Sequence, residues 1–274
     1  MDKIIIVRGG GDLATGVISV LHKAGFNILS LEAEKPSAIR RTVAFSEAVY
    51  EGSSEIEGLK CVLCSDLVEA EEEMKKGNVA MMKDPECEVL NKIRPFALVD
   101  AILAKKNLGT KKDMADIVVA LGPGFEAGVD ADIVIETKRG HKLGRMYETG
   151  FAIPNTGVPG LIAGHSSDRV IHASHKGVLY NRAYIGDIVE EGQVIAVIRD
   201  EEAKEHEVKA GFTGLLRGLI RDGFPVTEGF KIADIDARKE EHDNCFTISD
   251  KARSLGGSTL CAIMYLAAKK GLSL

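Results

Sequence analysis

Residues 3–32, KIIIVRGGGDLATGVISVLHKAGFNILSLE, decide the fold class. Lys3 to Val7 is a β-branched run without alternation, the pattern of a strand buried on both faces of a parallel sheet. Gly9, Gly10 and Gly11 follow. From Asp12 onward the apolar residues Leu13, Val17, Val20 and Leu21 recur at helical spacing, and Gly25 supplies a left-handed stop. Phe26 to Leu31 returns to strand texture. Strand, glycine turn, helix and strand in about 30 residues make a βαβ unit.

Outward from this unit, Leu59 to Cys64, Asn78 to Met82, Phe96 to Val99, Ala115 to Leu121 and Asp132 to Ile135 are apolar strand candidates. An acidic helix is predicted from Asp66 to Lys76, and another near Ala101 to Lys106. Alternating strands and helices predict an α/β fold with a Rossmann-like, mostly parallel sheet. After Ser166 the texture becomes short strands and charged turns. There GVLYNRAYIGDIVEEGQVIAVI (177–198) aligns without gaps on GLLRGLIRDGFPVTEGFKIADI (214–235), a duplicated β unit. Two intertwined copies with glycines at matching turns resemble the biotinyl/lipoyl type of barrel-sandwich, expected here as an insertion. The carrier lysine position falls on Ala203, so no covalent prosthetic group is expected. The final helix is expected to be capped by Ser258 or Thr259 and ended by Gly271. The domain expectation is therefore 1–165 for the nucleotide- or cofactor-binding sheet, 166–236 for the barrel-sandwich and 237–274 for a C-terminal helical segment.

Composition narrows the function classes. With 35 basic and 41 acidic residues in 274, the net charge is −6, which disfavours a nucleic-acid partner. The apolar start, MDKIIIVRGGG, is too short for a secretory signal, and no run reaches the roughly 20 residues of a membrane span. The expectation is a cytoplasmic protein. Five cysteines then read as free thiols. Cys61 and Cys64 lie in a strand pattern where positions three apart face opposite ways, against a redox or metal pair.

Three clusters are candidates for ligand chemistry. In VRGGGDLATG (7–16), Gly9, Gly11 and Ala14 form a GxGxxA pattern, and bare backbone at such a turn admits a pyrophosphate to a helix N-terminus. Asp12 opens that helix, and Glu32 stands about 20 residues on, where a ribose acceptor would sit. Gly122 and Gly124 flank a proline directly after an apolar strand, at the strand end where ligands gather in open sheets. Arg139, His141 and Arg145 lie in IETKRGHKLGR (135–145), with guanidinium forks suited to phosphate or carboxylate. His172 and His175 diverge in a strand pattern, and no metal site is expected. No HExxH, P-loop or GxSxG pattern occurs.

VRGGGDLATG, EKPSAIRRTVAFSEAVYEG, GPGFEAG, IETKRGHKLGR, PNTGVPG and CFTISDKARSLGG, in this order, resemble the selenium-dependent molybdenum hydroxylase system proteins of the YqeB-like family. The resemblance covers nearly the whole chain. It implies an accessory, maturation role of the xanthine dehydrogenase accessory type, with a molybdenum hydroxylase as partner. It also implies a nucleotide-bearing cofactor of the molybdopterin cytosine dinucleotide type, handled for chalcogen insertion or delivery, while the glycine turn taken by itself equally admits NAD(P). It brings no catalytic residue list and leaves a homo-oligomer open. The alternative is an NAD(P)-dependent oxidoreductase or nucleotide-using transferase, for which no acid/base pair is visible. A likeness to zinc deacylases, whose C-terminal domains are also barrel-sandwiches, lacks their ligand motif.

Overall fold

A computed structural model describes residues 3–155 and 167–273. They form two compact units: residues 3–36, 44–155 and 248–273 in the first, and residues 37–43 and 167–247 in the second. The expected boundary at 165/166, and PNTGVPG beyond Asn155, lie outside the described residues.

The first unit runs β1 (Ile4–Arg8), α1 (Asp12–Lys23), β2 (Asn27–Glu32), α2 (Ala48–Glu51), β3 (Ser53–Ile56), β4 (Leu59–Leu63), α3 (Leu67–Lys75), β5 (Val79–Lys83), β6 (Ala97–Asp100), β7 (Ile117–Leu121), β8 (Glu126–Ala127), β9 (Ile133–Ile135), β10 (Met146–Tyr147), β11 (Gly150–Phe151) and finally α4 (Asp250–Lys270). Nine strands form one sheet in the order β10-β9-β7-β6-β1-β2-β5-β4-β3. Pairing is parallel from β9 through β4 and antiparallel at the two edges, β10 and β3. Alternate residues of β1 serve the two faces: Ile5 and Val7 pack with α1 and α4, Ile4 and Ile6 with α3. Burial on both faces is what the unbroken β-branched run requires.

α1 and α4 approach closely because both carry glycine at their crossing. A Cβ on Gly16 would stand 2.5 Å from Ala252 Cβ, and one on Gly256 would stand 2.7 Å from Gly16 O and from Val20 Cγ2. The pairing of Gly16 with Ala252 and of Val20 with Gly256 means the helices run in the same direction, with their N-termini at one end.

This sheet corrects the Rossmann-like expectation. A doubly wound sheet covers its crossovers with helices. Here the connections from β6 to β7 and from β7 to β9 contain none, and both edges are antiparallel, so the sheet is mixed. The helix expected near Ala101 to Lys106 does not form, since Leu103 and Lys105 adopt left-handed backbone with φ of 61° and 64°. The last helix starts earlier than expected: Ser249 caps it by accepting from Ala252 N at 3.2 Å. Ser258 and Thr259 lie inside it, donating to carbonyls four residues back.

The second unit holds β12 (Val170–His172), β13 (Gly177–Asn181), β14 (Ile188–Val189), β15 (Val194–Arg199), β16 (Glu205–Lys209), β17 (Gly214–Leu219), β18 (Phe224–Val226) and β19 (Lys231–Asp236). They form two four-stranded antiparallel sheets, β12-β19-β17-β14 and β16-β15-β13-β18. The duplication is visible in the pairing. The first strand of each copy pairs with its own third strand and with the second strand of the other copy. Residues 37–43 join this unit, and Ile39 O accepts from Leu219 N at 2.8 Å. The all-β part is thus a pair of antiparallel sheets drawing on two chain segments, which corrects the expected single inserted biotinyl/lipoyl-like barrel-sandwich. Self-similarity fixes which strands are equivalent, not how the sheets close.

Among the described residues no helix is long and apolar enough to cross a membrane. Gly256→Ala is expected to destabilise the chain by about 1–3 kcal/mol through overpacking against α1. Gly257→Ala, at an exposed helical position with nothing within 4 Å, should instead gain up to about 1 kcal/mol. Urea denaturation midpoints of the two variants check the pair.

Candidate functional site

The parallel strands β1, β2, β6, β7 and β9 end at Arg8, Glu32, Asp100, Leu121 and Ile135, so the segments after them share the carboxyl edge of the sheet. The N-termini of α1 and α4 lie at this edge too. Two parallel helices side by side add their positive ends.

At the glycine turn, Gly9 has φ of 99°, which suits glycine, and its N–H donates to Leu31 O at 2.7 Å. A Cβ there would meet the backbone of Ala101 and Ile102 at 3.2 Å. Gly10 is buried, and its Cβ would stand 2.6 Å from Met81 Cε and 3.0 Å from Ser46 N. Its N–H donates to Glu32 Oε2 at 2.7 Å, and Ala33 N donates to Oε1 at 2.8 Å. Burial pushes the Glu32 carboxyl above its usual range, while these two amides pull the other way. Gly11 differs from its neighbours. It caps α1 in extended conformation, no side chain caps the helix, and a Cβ would meet nothing within 4 Å. Behind the turn, Thr15 Oγ1 donates to Gly11 O and accepts from Phe45 N, both at 3.0 Å.

Lys251, on the first turn of α4, is half-buried among Asp12, Glu136, Arg139 and Asp250. Burial lowers its ammonium below the usual lysine range and Arg139 adds to this, against the pull of Asp12, Glu136 and Asp250. Glu136 is fully buried; its carboxylate accepts from Lys138 N at 2.8 Å, Ile153 N at 2.9 Å and Tyr147 OH at 3.4 Å. Arg139 grips Asp250 with both guanidinium nitrogens, at 2.7 and 3.0 Å.

Arg8 is 3% exposed and ties the edge loops together. It donates to Thr110 Oγ1 at 2.5 Å, Pro85 O at 2.8 Å and Leu108 O at 3.0 Å, and lies 3.4 Å from Asp100. Thr110 Oγ1 in turn donates to Asp100 at 2.6 Å. Burial outweighs these partners and raises the Asp100 carboxyl.

The edge therefore gathers Gly9, Gly10, Gly11, Asp12 and Glu32, and brings Arg139 to the start of α4. Gly122 and Gly124 lie after β7, but both are packed. A Cβ on Gly122 would stand 2.8 Å from Thr137 Oγ1, and one on Gly124 would stand 2.6 Å from Lys106 Cα. His141 and Arg145 stay exposed, Arg145 lying over the Tyr147 ring at 5.5 Å. Sequence reasoning passed over Lys251 and Arg8. The string SDKA, read as a helix start at Ser249, would have pointed to Lys251; nothing local marks Arg8. Burial pushes the Cys87 thiol up to about 11, so it is no activated nucleophile. Among the described residues no three His, Cys, Asp or Glu side chains gather as metal ligands.

By fold and edge the chain is a mixed-sheet α/β protein that also carries a duplicated all-β unit. It is YqeB-like: over 265 residues it is 49% identical to the Escherichia coli (strain K12) protein described as "Uncharacterized protein YqeB", covering 96% of this chain and 48% of that one. The chain thus spans about half the length of that relative. No family model matches. Among solved structures, an aspartoacylase family protein from Mesorhizobium loti is 11% identical with a TM-score of 0.31, covering 85% of this chain and 84% of that one. A succinylglutamate desuccinylase from Silicibacter sp. is 11% identical with a TM-score of 0.27, over 85% and 84% of the two chains. Neither likeness bears on function.

Glu32→Ala is expected to leave the buried Gly10 N–H without its acceptor and to lower stability by about 1–3 kcal/mol. Urea denaturation of this variant beside the parent chain measures the loss.

Proposed function

We propose that the chain is an accessory protein that binds a nucleotide-bearing cofactor at the carboxyl edge of its sheet and serves the maturation of a selenium-dependent molybdenum hydroxylase of the xanthine dehydrogenase type. The observation that carries the binding part is Gly11. It is the one glycine of the triplet with open space before it, at a helix start with no side-chain cap, in the unit where Lys251 stands beside Asp12. First-turn amides, the α1 dipole and an ammonium suit a phosphate group. Glu32 keeps further acceptor capacity on its carboxylate oxygens for a ribose hydroxyl. The maturation part, and the molybdopterin cytosine dinucleotide type of ligand, are supported by the resemblance of the sequence strings.

Gly11→Val tests the site without disturbing the fold, because the position is extended and open. Calorimetric titration with cytidine 5′-diphosphate should give saturable heat with the parent chain and affinity at least about tenfold weaker in the variant. Absence of heat with the parent, or equal affinity in Gly11→Val, overturns the reading.

The lowered lysine sets a pH dependence. Lys251 must be protonated to attract phosphate, so affinity should be highest below its lowered value and fall as pH rises through it. Lys251→Arg stays charged across that range and should remove this decline. The same titration run as a pH series on both chains reads the difference.

A further inference from the structure

The outward face of α4 carries a pattern that its own chain does not use. Ser254, Gly257, Cys261, Met264 and Ala268 recur at spacings of three, four, three and four residues, and all five are exposed. Helical geometry sets them on one line, opposite the buried Leu255, Thr259, Ala262 and Leu266. None of the five is charged, although an exposed helix face ordinarily is. Uncharged residues recurring every 3.5 positions form the seam of a paired helix. Gly257 is the telling position. Its neighbour Gly256 is bare because α1 presses on it, whereas a Cβ on Gly257 would meet nothing within 4 Å among the described residues. Within one chain that glycine only weakens the helix. Met264, further along the same line, is 42% exposed, and Cys261 between them is the exposed member of the five cysteines.

We propose that this face docks a second copy of the chain, the two α4 helices running antiparallel with Cys261 on the two-fold axis. The seam is complementary to itself about that residue. Reversed around position 261, Gly257 meets Met264 of the second copy, Ser254 meets its Ala268, and the two Cys261 side chains face each other. Bare backbone at Gly257 is then the hole, and the flexible Met264 is the knob that fills it. A parallel pair would set methionine on methionine and glycine on glycine, with no such fit. Charge agrees with the antiparallel direction. The helix dipoles oppose, and the acidic first turn at Asp250 comes towards the basic last turn at Lys269 and Lys270. Each of these side chains already holds a partner in its own chain, so they favour the direction more than they add strength. A single helix pair buries less than the roughly 1,200 Å² of a standard interface, so the dimer is weak, with a dissociation constant of about 10–100 μM. The inference goes beyond the proposed function and is independent of the ligand edge.

The test is sedimentation equilibrium of the full chain up to about 500 μM, well above the expected dissociation constant. The parent should pass from monomer to dimer. Gly257→Glu and Met264→Lys each place a charge in the seam and should each weaken the dimer at least about tenfold. Both positions are exposed, and urea midpoints confirm that the variants fold. On one helix the two positions stand about 10 Å apart, too far to pair, but across the antiparallel seam they face each other. An equimolar mixture of the two variants should therefore recover a dimer to within about threefold of the parent affinity. Diamide, which takes up the two electrons and two protons of a thiol pair, should join parent chains through Cys261, and Cys261→Ser should abolish the joined species. A parent that stays monomeric, variants with unaltered self-association, no recovery on mixing, or a dimer that diamide leaves unjoined overturns the proposal.

Discussion

The close contact of α1 with α4 is the constraint on which the first unit depends. Gly16 and Gly256 lack the atoms that would hold the helices apart, and a Cβ on either would stand within 2.7 Å of the other helix. Because the helices run in the same direction, their approach sets two positive ends side by side at the edge where β1, β6 and β7 finish. Such an end is unfavourable unless negative charge meets it. Asp12 and Asp250, the first residues of the two helices, supply part of that charge. Arg139 then secures Asp250.

The same contact explains the state of Lys251. Placed on the first turn of α4, it is carried into a half-buried position among three carboxylates and one guanidinium. Its charge is costly there, and the pull of Asp12, Glu136 and Asp250 offsets only part of that cost. Arg8 does different work a short way along the edge. Its guanidinium is satisfied by two carbonyls, a threonine and Asp100, so it fastens the loops after β5 and β6 and has no reach left for a ligand.

The three glycines after β1 show how one motif divides its labour. Gly9 and Gly10 are bare because the Ala101–Ile102 backbone, Met81 and Ser46 press on them; Gly11 alone faces open space. In the sequence they are indistinguishable. Gly122 and Gly124 likewise read as site walls, yet they are bare to admit Thr137 and the Lys106 backbone. Glu32 was legible as the acidic residue at the end of β2, but its engagement with Gly10 N was not, since it depends on how the turn folds back.

What the sequence determined by itself is what short-range chemistry controls. The β-branched run of β1, the glycine turn, the helical spacing of α1, the acidic helix α3, the Gly271 stop and the duplication at 177–198 and 214–235 all follow from local pattern. Only the tertiary structure decided the rest. The mixed edges of the sheet, the helix-free crossovers, the recruitment of residues 37–43 and the start of α4 at Asp250 depend on contacts between distant segments. The physical reason is that periodicity reports which face of an element is apolar, while strand order, sheet closure and the burial of Lys251 or Arg8 depend on which distant face meets it.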